Sequence, residues 1–254
     1  MQAHTIHPTA IVSQQARIGD NAVIGPFCII HDGVEVGPNS EIDAYCELGI
    51  PSPLAHTGTL SIGSGSKIRS HATIYAGSVI GSEFTTGHYV TVRENSALGK
   101  GVQLGNRSDV QGDCTIGNFV KTHADVHIGK HSRIGNFVWL FPEVLLANDP
   151  TPPSDDLLGV HIGDYAVVAS KCLIHPGVRI GRDAVVAAAS VVKADVPDGK
   201  LALGNPAKHI CDADVLRLRG DIRVRAYPWR YRFTRGYPEE MLELWQKELN
   251  QKSS

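Results

Sequence analysis

Aliphatic residues recur at every sixth position along most of this chain. The phase holds over residues 6–48, 62–146 and 162–192, and among its 29 first positions only Thr86 and Thr122 are not aliphatic. A period of six is three strand alternations, so each hexad can form one short strand and a corner, with its first residue pointing inward. The pattern predicts a parallel β-helix of nine to ten coils in which three hexads make one triangular coil.

The fifth residue of each hexad is small, as a tight interior corner requires. Four of the five cysteines stand at this position: Cys28, Cys46, Cys114 and Cys172. We interpret them as buried fillers without a redox role. The odd number of cysteines and their spacing favour neither a disulfide framework nor a zinc site.

Two insertions interrupt the hexads and leave from equivalent places. Residues 54–61 and residues 152–161 each follow a hexad that is second in its coil. We expect both loops to project from the same corner, five coils apart, which is roughly 24 Å at a strand spacing of about 4.8 Å. Such a span could hold an extended ligand.

The composition changes after the last hexad, and we predict a β-helix over residues 1–210 with a C-terminal extension over 211–254. Seven arginines lie between Arg217 and Arg235, interleaved with Tyr227, Trp229, Tyr231 and Phe233. We interpret these residues as packing groups, with an anionic ligand as the alternative. Helical spacing behind Pro238 predicts one amphipathic helix, formed by Met241, Leu242, Trp245 and Leu249.

The amino-acid composition and the net charge limit the function classes to be considered. Aromatic residues make up 6% of the chain and glycine occurs 26 times, which suits a solenoid of stacked aliphatic rungs. A net charge of −2 gives no reason to expect nucleic acid as a partner. Neither a basic–apolar leader nor a long apolar run is evident, so we expect a cytoplasmic protein that is not inserted in a membrane.

Titratable residues concentrate on the first-face and second-face hexads of the middle coils, whereas the third-face hexads keep glycine and look like scaffold. The concentrated residues are His71, His88, Glu94, Asn95, Asn106, Arg107, Asp125, His127 and His131. Residues with larger side chains also replace the second-position glycine there: Arg69, Arg93, Gln111 and His123. This clustering predicts a functional site. A zinc ion would need three converging side chains, and stacking on successive coils puts the outer two of His71, His88 and Asp125 too far apart for one ion, so we expect no metal.

Several sequence segments resemble known acyltransferases. IHPTAIV, IGPFCII and KIRSHATIYAGS resemble the UDP-N-acetylglucosamine O-acyltransferases of lipid A synthesis, and VVAAASVVKADVPDGKLALGNPAK resembles the CoA-dependent sugar N-acetyltransferases. These segments reach across residues 6–210, and the chain is identified as a member of the left-handed β-helix, hexapeptide-repeat acyltransferases. The resemblance implies a homotrimer with active sites between neighbouring subunits.

The resemblance also implies a catalytic position. The lipid A enzymes have a catalytic histidine at the third position of a second-face hexad, where this chain has Glu94 in VRENSA. Because a carboxylate is a poor base for a hydroxyl, Glu94 favours an amine acceptor. His88 would orient the acceptor or Glu94, and the Gly112 amide would polarise the thioester. The alternative is a surface carboxylate paired with Arg93 or Arg69.

The clustering on two faces also predicts the substrate-binding residues Arg69, His71, Asn95, Arg107 and His123. Asn148 and Asp149 join them because the loop LLANDPTPPS resembles the Asn-Asp loop that lies near the nucleotide sugar in the nucleotide-sugar acetyltransferases; the alternative is a proline-stiffened loop at a subunit contact. The donor-binding residues follow from the same resemblance. The expected donor-binding residues are Val167, Gly177, Ala187 and Ala189 beside the pantetheine arm and Lys208 facing a CoA phosphate.

These observations favour an acetyl-CoA-dependent N-acetyltransferase acting on a UDP- or dTDP-linked amino sugar, for the synthesis of surface polysaccharide such as O-antigen or lipopolysaccharide. The first alternative is an O-acyltransferase of the UDP-N-acetylglucosamine type that uses acyl carrier protein. The second is a non-catalytic β-helix scaffold. A relative of the γ-carbonic anhydrases would need a three-histidine zinc site.

Overall fold

The computed structural model describes residues 4–253, and 29 short parallel strands build most of it. The strands in chain order are β1 Thr5–Ile6, β2 Ile11–Val12, β3 Arg17–Ile18, β4 Val23–Ile24, β5 Ile29–Ile30, β6 Val34–Val36, β7 Glu41–Ile42, β8 Glu47–Ile50, β9 Leu60–Ile62, β10 Lys67–Ile68, β11 Thr73–Tyr75, β12 Val79–Ile80, β13 Thr85–Thr86, β14 Thr91–Val92, β15 Ala97–Leu98, β16 Gln103–Leu104, β17 Asp109–Val110, β18 Thr115–Ile116, β19 Lys121–Thr122, β20 His127–Ile128, β21 Arg133–Ile134, β22 Trp139–Leu140, β23 Leu145–Leu146, β24 His161–Ile162, β25 Val167–Val168, β26 Leu173–Ile174, β27 Arg179–Ile180, β28 Val185–Val186 and β29 Val191–Val192.

Each strand from β1 to β26 pairs in parallel with the strand three further along the chain. Three faces result, which begin with β1, β2 and β3 and which we call the first, second and third faces. The corner that follows a strand of each face takes the same number. This arrangement confirms the predicted left-handed β-helix, and its strands occur where the hexads placed them.

The interior consists of the hexads' first and fifth residues. First-position side chains such as Ile68 and Ile128 are fully buried, and so are Cys28 and Ser66 at the fifth position. Stacking these residues from coil to coil makes one continuous apolar core. Glycine at the second position has a steric cause, since a Cβ on Gly63 would lie 2.4 Å from the backbone nitrogen of Ser82 in the next coil.

The fourth residue of a hexad often has a left-handed backbone. Among the described residues, nineteen non-glycine residues have positive φ, including Tyr45 at 61° and Phe137 at 59°. The parallel register repeats this conformation in every coil. Side chains at the fourth position therefore point outward and stack in columns along each corner.

Both predicted loops leave the second corner. One connects β8 to β9 and the other connects β23 to β24. The register of β21 with β24 and of β6 with β9 continues across these loops. The insertions therefore leave the solenoid intact.

The C-terminal elements fold back along the solenoid. They are β30 Lys200–Gly204, β31 Ala207–Asp212, a 3-10 helix at Ala213–Val215, β32 Arg217–Leu218, β33 Asp221–Arg225, a second 3-10 helix at Trp229–Tyr231 and α1 Glu239–Ser253. Strand β30 extends the first face, so the solenoid has about 11 turns. The boundary predicted after residue 210 falls within β31.

Aromatic residues of the C-terminal segment pack on the third corner. Trp229, Tyr237 and Trp245 are buried against Phe137 and Tyr165 of the solenoid. The third-corner hexads are therefore more than scaffold, because two of their rings form the surface on which α1 rests. Within the described residues, no helix is long and apolar enough to cross a lipid bilayer.

Candidate functional site

The second corner brings polar side chains of three successive coils together. The Asn95 side-chain amide donates to Asp113 Oδ1 at 3.1 Å, and Lys130 Nζ lies 3.0 Å from Asp113 Oδ2. Burial by itself raises the pKa of the Asp113 carboxyl, but the hydrogen bonds from Lys130 and Asn95 outweigh it and lower that pKa. The corner therefore holds a fixed carboxylate with one ammonium partner.

Glu94 lies in this corner but is not a free carboxylate. Its side chain is 1% exposed, and Arg93 donates to it twice, from Nε at 3.2 Å and from Nη2 at 3.1 Å. The Arg93 guanidinium in turn lies 5.3 Å from the centre of the Tyr75 ring. Paired donors of this kind fix the orientation of a carboxylate.

Gly112 lies beneath this ion pair. A Cβ there would meet Arg93 Cβ at 3.5 Å and Glu94 Cδ at 3.8 Å, so both side chains cover the glycine. Among the described residues, no acceptor takes a hydrogen bond from the Gly112 amide. An unused N–H suits the predicted contact with a thioester oxygen.

The first long loop is anchored on this cluster by Asn95. Asn95 Oδ1 accepts from the His56 amide at 2.8 Å, and Asn95 Nδ2 donates to the Leu54 carbonyl at 2.9 Å. Asn95 thus fixes a loop against Asp113. Its predicted role in substrate binding stays a prediction.

The first corner holds a separate group of predicted residues. His71 stacks between Tyr45 and Tyr89, Arg69 Nη1 donates to Asp43 at 3.3 Å, and His88 Nδ1 lies 2.9 Å from the Ser70 hydroxyl. Because β14 separates the first corner from the second, His88 and Glu94 lie at opposite edges of one face and have different partners. Within one chain, His88 does not orient Glu94.

Arg107 and His123 also lie in the first corner, in coils that follow those of His71 and His88 along the chain. Arg107 makes two hydrogen bonds to Asp125, at 2.7 and 2.6 Å, and these bonds lower the pKa of the Asp125 carboxyl. His123 stacks on Phe141, with ring centres 4.7 Å apart. Both residues are already engaged in contacts within the chain.

The second long loop is organised by Asp149. Its carboxylate accepts from the amides of Thr151 and Ser154 and from the Ser154 hydroxyl. Burial acts to raise its pKa, but these bonds lower the pKa of Asp149 overall. The Asn148 carbonyl accepts from Leu158 at 2.7 Å. Both residues shape their own loop, and their contact with a ligand stays a prediction.

The predicted donor-binding residues lie in four different places. Val167, on the first face, is 5% exposed and lines a pocket of about 360 Å³ under the C-terminal segment. Gly177 lies in the second corner, Ala187 and Ala189 in the first, and Lys208 on the exposed strand β31. A single chain does not gather them into one binding cleft.

A histidine–carboxylate pair lies on the second face, and only its histidine was among the residues predicted from the sequence. His127 Nδ1 lies 3.1 Å from Asp109 Oδ1, and the two residues are in register on β20 and β17. Burial raises the pKa of Asp109, but hydrogen bonds from His127 and Gln111 lower it further than burial raises it. A spacing of 18 residues, one coil, was the signal that could have revealed this pair.

No group of three His, Cys, Asp or Glu side chains arranged to hold a metal ion occurs within residues 4–253. Four histidines of the first and second faces instead stack on rings or pair with hydroxyl and carboxylate groups, namely His71, His88, His123 and His127.

Parts of this chain match known protein families, and most of it is similar to individual known proteins. Residues 15–49 match the model of the bacterial transferase hexapeptide family (six repeats), and residues 159–194 match the hexapeptide repeat of succinyl-transferase. The chain is 30% identical over 211 residues to an acyl-acyl-carrier-protein–UDP-N-acetylglucosamine O-acyltransferase of Rhizobium johnstonii, covering 79% of this chain and 68% of that protein. A protein with the same description from Campylobacter concisus is 29% identical over 212 residues, covering 80% and 71%.

A solved structure has the same fold. The UDP-N-acetylglucosamine acyltransferase from Campylobacter jejuni superposes with a TM-score of 0.56 at 20% identity, covering 96% of this chain and 82% of that one. At this identity the likeness concerns the fold alone.

Proposed function

Because this chain belongs to the hexapeptide-repeat acyltransferase family of the UDP-N-acetylglucosamine O-acyltransferases, we propose that it transfers an acyl group from acyl carrier protein to a hydroxyl of a nucleotide-linked sugar. Family membership supports acyl transfer as the reaction class. The 30% identity to the Rhizobium protein, over 79% of this chain, is the observation that supports the proposed donor and acceptor.

The structure weakens the argument for an N-acetyltransferase. That prediction depended on Glu94 as a free carboxylate that favours an amine acceptor. Glu94 is buried and held by Arg93, so its presence says little about the acceptor. The relatives are described as O-acyltransferases that use an acyl carrier protein, which is the alternative from the sequence analysis.

The proposed reaction forms one ester and breaks one thioester. The acceptor hydroxyl oxygen attacks the thioester carbonyl carbon, and its proton passes to a base on the enzyme. The carrier thiolate leaves and takes up a proton. Much of the rate enhancement would come from holding the two substrates together beside the second corner.

The base must be a side chain that can reach the acceptor hydroxyl, and the Glu94 carboxylate is buried and accepts two hydrogen bonds from Arg93. His127 fits this requirement, because its imidazole is partly exposed and Asp109, 3.1 Å from its Nδ1, fixes the orientation of the ring. We therefore add His127 to the two predicted catalytic residues, Glu94 and His88. Glu94 would then act by holding Arg93 over Gly112, and His88 would contact the acceptor from the first corner.

The experiment is a product assay with the full-length chain. Acyl carrier protein loaded with acyl chains of several lengths is incubated with UDP-N-acetylglucosamine, and the products are analysed by mass spectrometry and by cleavage with hydroxylamine. We expect an ester on the sugar. An amide formed from acetyl-CoA and an amino-sugar nucleotide, with no ester from carrier protein, would instead support the N-acetyltransferase.

Variants then identify the base. His127→Asn should lower kcat at least a hundredfold, and Glu94→Gln should lower it less, because the glutamine side chain can still accept from Arg93. His7→Gln, in the first coil, is the matched control and should leave kcat unchanged. If Glu94→Gln abolishes turnover while His127→Asn does not, Glu94 is the base and His127 has no part in proton transfer.

A further inference from the structure

A column of outward-facing residues runs along the third face. The part of this column toward the C-terminal end of the solenoid consists of Arg133, His161 and Arg179 on three successive coils. Arg133 is in register with His161, and His161 is in register with Arg179. Three cationic or titratable side chains therefore stand directly above one another. Opposite charges on neighbouring strands stabilise a sheet, and these three positions of the column include no acidic residue.

At the N-terminal end of the same column, an arginine has an acidic neighbour. There Arg17 lies in register with Glu35, and their side chains form an ion pair at 3.1 Å. Among the residues that the structure describes, no carboxylate lies within ion-pair distance of the Arg133 or Arg179 guanidinium. Asp195, which is near, accepts from the Arg179 backbone amide at 2.8 Å. Within the described residues, Arg133 and Arg179 therefore have no carboxylate partner, whereas Arg17 is paired with Glu35.

His161 responds to its cationic neighbours. Burial lowers the pKa of its imidazole, and the charges of Arg179 and Arg133 lower it further against the opposing effect of Asp195. The two guanidinium groups therefore disfavour the protonated form of the imidazole. An anion placed between them would reverse this effect.

A groove of about 620 Å³ follows this part of the third face. Its walls include Thr115, Arg133, His161, Arg179 and Asp198. The second-corner cluster around Glu94 does not line it. The groove is wide enough for a phosphate-bearing ligand, and both arginines line it.

We propose that this groove binds a diphosphate group. At about 4.8 Å per coil, Arg133 and Arg179 stand roughly 10 Å apart at the backbone, and their long side chains can close on an anion between them. A guanidinium binds phosphate oxygens through two parallel hydrogen bonds, so two arginines match the two phosphoryl groups of a diphosphate. His161 lies between them as a third donor once it is protonated.

Two molecules could supply the diphosphate, namely a nucleotide sugar or coenzyme A. The inference rests on the proposed function only for the identity of this molecule. Occupancy of the groove by a nucleotide sugar would make the third face part of the acceptor site. Occupancy by coenzyme A would indicate a donor other than acyl carrier protein.

The test is calorimetric titration of the full-length chain with inorganic pyrophosphate. The Arg133→Gln/Arg179→Gln variant should bind pyrophosphate at least tenfold more weakly than the original chain, and Arg17→Gln should stay within twofold, because Arg17 is paired with Glu35. Equal affinity in the double variant, or an equal loss in Arg17→Gln, would overturn the proposal. Circular dichroism of the variants checks their folding.

A second measurement needs no variant. In the original chain, pyrophosphate should shift the imidazole NMR signals of His161 and raise its pKa, whereas His7 should not respond. Signals that stay unchanged at saturating pyrophosphate would exclude the groove. Competition between pyrophosphate and either UDP or coenzyme A then tells which source fits. Since only binding is measured, this result and the acyl-transfer assay can fail independently.

Discussion

Two columns of stacked rings occupy the same hexad position at two corners of the solenoid. The first-corner ladder consists of Phe27, Tyr45, His71 and Tyr89, with ring centres 4.6–5.0 Å apart. The third-corner ladder consists of Phe119, Phe137 and Tyr165, with ring centres 5.2 and 5.0 Å apart. Their surroundings differ, since Tyr45 is 52% exposed and Phe137 is 7% exposed.

The difference lies in what covers the rings. Trp245 meets Phe137 edge-on at 5.4 Å and Tyr165 at 6.2 Å, and Trp229 donates its indole N–H to the Tyr165 carbonyl at 2.9 Å. Stacking alone is worth about 0.5–1.5 kcal/mol per pair, whereas full burial of a large aromatic side chain contributes several times more. The same local device therefore stabilises the fold at one corner and leaves apolar surface exposed at the other.

Replacing one ring in each ladder by alanine should give the largest contrast. Phe137→Ala should lower the free energy of unfolding by about 3–5 kcal/mol, because it opens a cavity under α1. Tyr45→Ala should cost less than about 1 kcal/mol. Both positions have a left-handed backbone, at 59° and 61°, so any backbone cost of alanine is common to the two. Urea unfolding followed by circular dichroism measures both.

Equal losses in the two variants would contradict this comparison. They would mean that stacking along a corner, rather than the C-terminal cover, supplies the stability. Tryptophan fluorescence provides a check, because Phe137→Ala should alter the emission of buried Trp245 while Tyr45→Ala leaves it unchanged.

An ion pair that secures the cover should have the next largest effect. Arg230 is 2% exposed, lies 4.2 Å from the centre of the Tyr165 ring, and pairs with Asp183 and with Glu248. Asp183→Asn leaves this buried guanidinium with one carboxylate, and we expect a loss of about 2 kcal/mol, below the full cost of an unpaired buried charge. Thermal unfolding measures it. Asp221→Asn, which breaks the exposed pair with Arg223, is the control and should leave the midpoint unchanged.

The covered ladder should also make stability sensitive to high pH. Burial raises the pKa of Tyr237 above its usual range, although the hydrogen bond from the Trp139 indole partly opposes the rise. The unfolded chain loses this proton near pH 10 while the folded chain keeps it, so the free energy of unfolding should fall as the pH rises above about 10. Tyr237→Phe should flatten this fall and should cost about 1 kcal/mol at neutral pH for the lost hydrogen bond.

Urea titrations at several pH values between 8 and 11 test this. A slope that is the same in Tyr237→Phe as in the original chain would show that Tyr237 does not contribute to the alkaline loss of stability.

How far the sequence predicted these features depends on their range along the chain. A period of six determined the strands, the three faces and the origin of both loops, because each hexad repeats the same local geometry. The cover of the third corner could not be predicted, since it joins Phe137 to Trp245 across more than 100 residues. The pairing of Glu94 with Arg93 was weighed as an alternative, but only the structure shows how deeply both side chains cover Gly112.

The His127–Asp109 pair and the cationic column lay within reach of sequence reasoning. One coil is 18 residues where no loop intervenes, so outward residues at that spacing are neighbours. The 28 residues between Arg133 and His161 hide this relation, because the second long loop adds ten residues to one coil. Removing loop lengths before comparing coils would have brought these side chains together.

The smallest effect should come from breaking the exposed ladder at its centre. His71 stacks on Tyr89 at 4.6 Å and has φ of 62°. Asparagine tolerates this backbone well, so His71→Asn removes the stacking on Tyr45 and Tyr89 with little added strain. Because both of these rings are exposed and water can replace the lost contacts, we expect only about 0.5 kcal/mol in urea unfolding, the lower end of the range for one stacked pair. A loss above about 2 kcal/mol would show that an uncovered column of rings stabilises its corner unaided. The cover at the third corner would then be an addition to a corner that is already stable, and not the source of its stability.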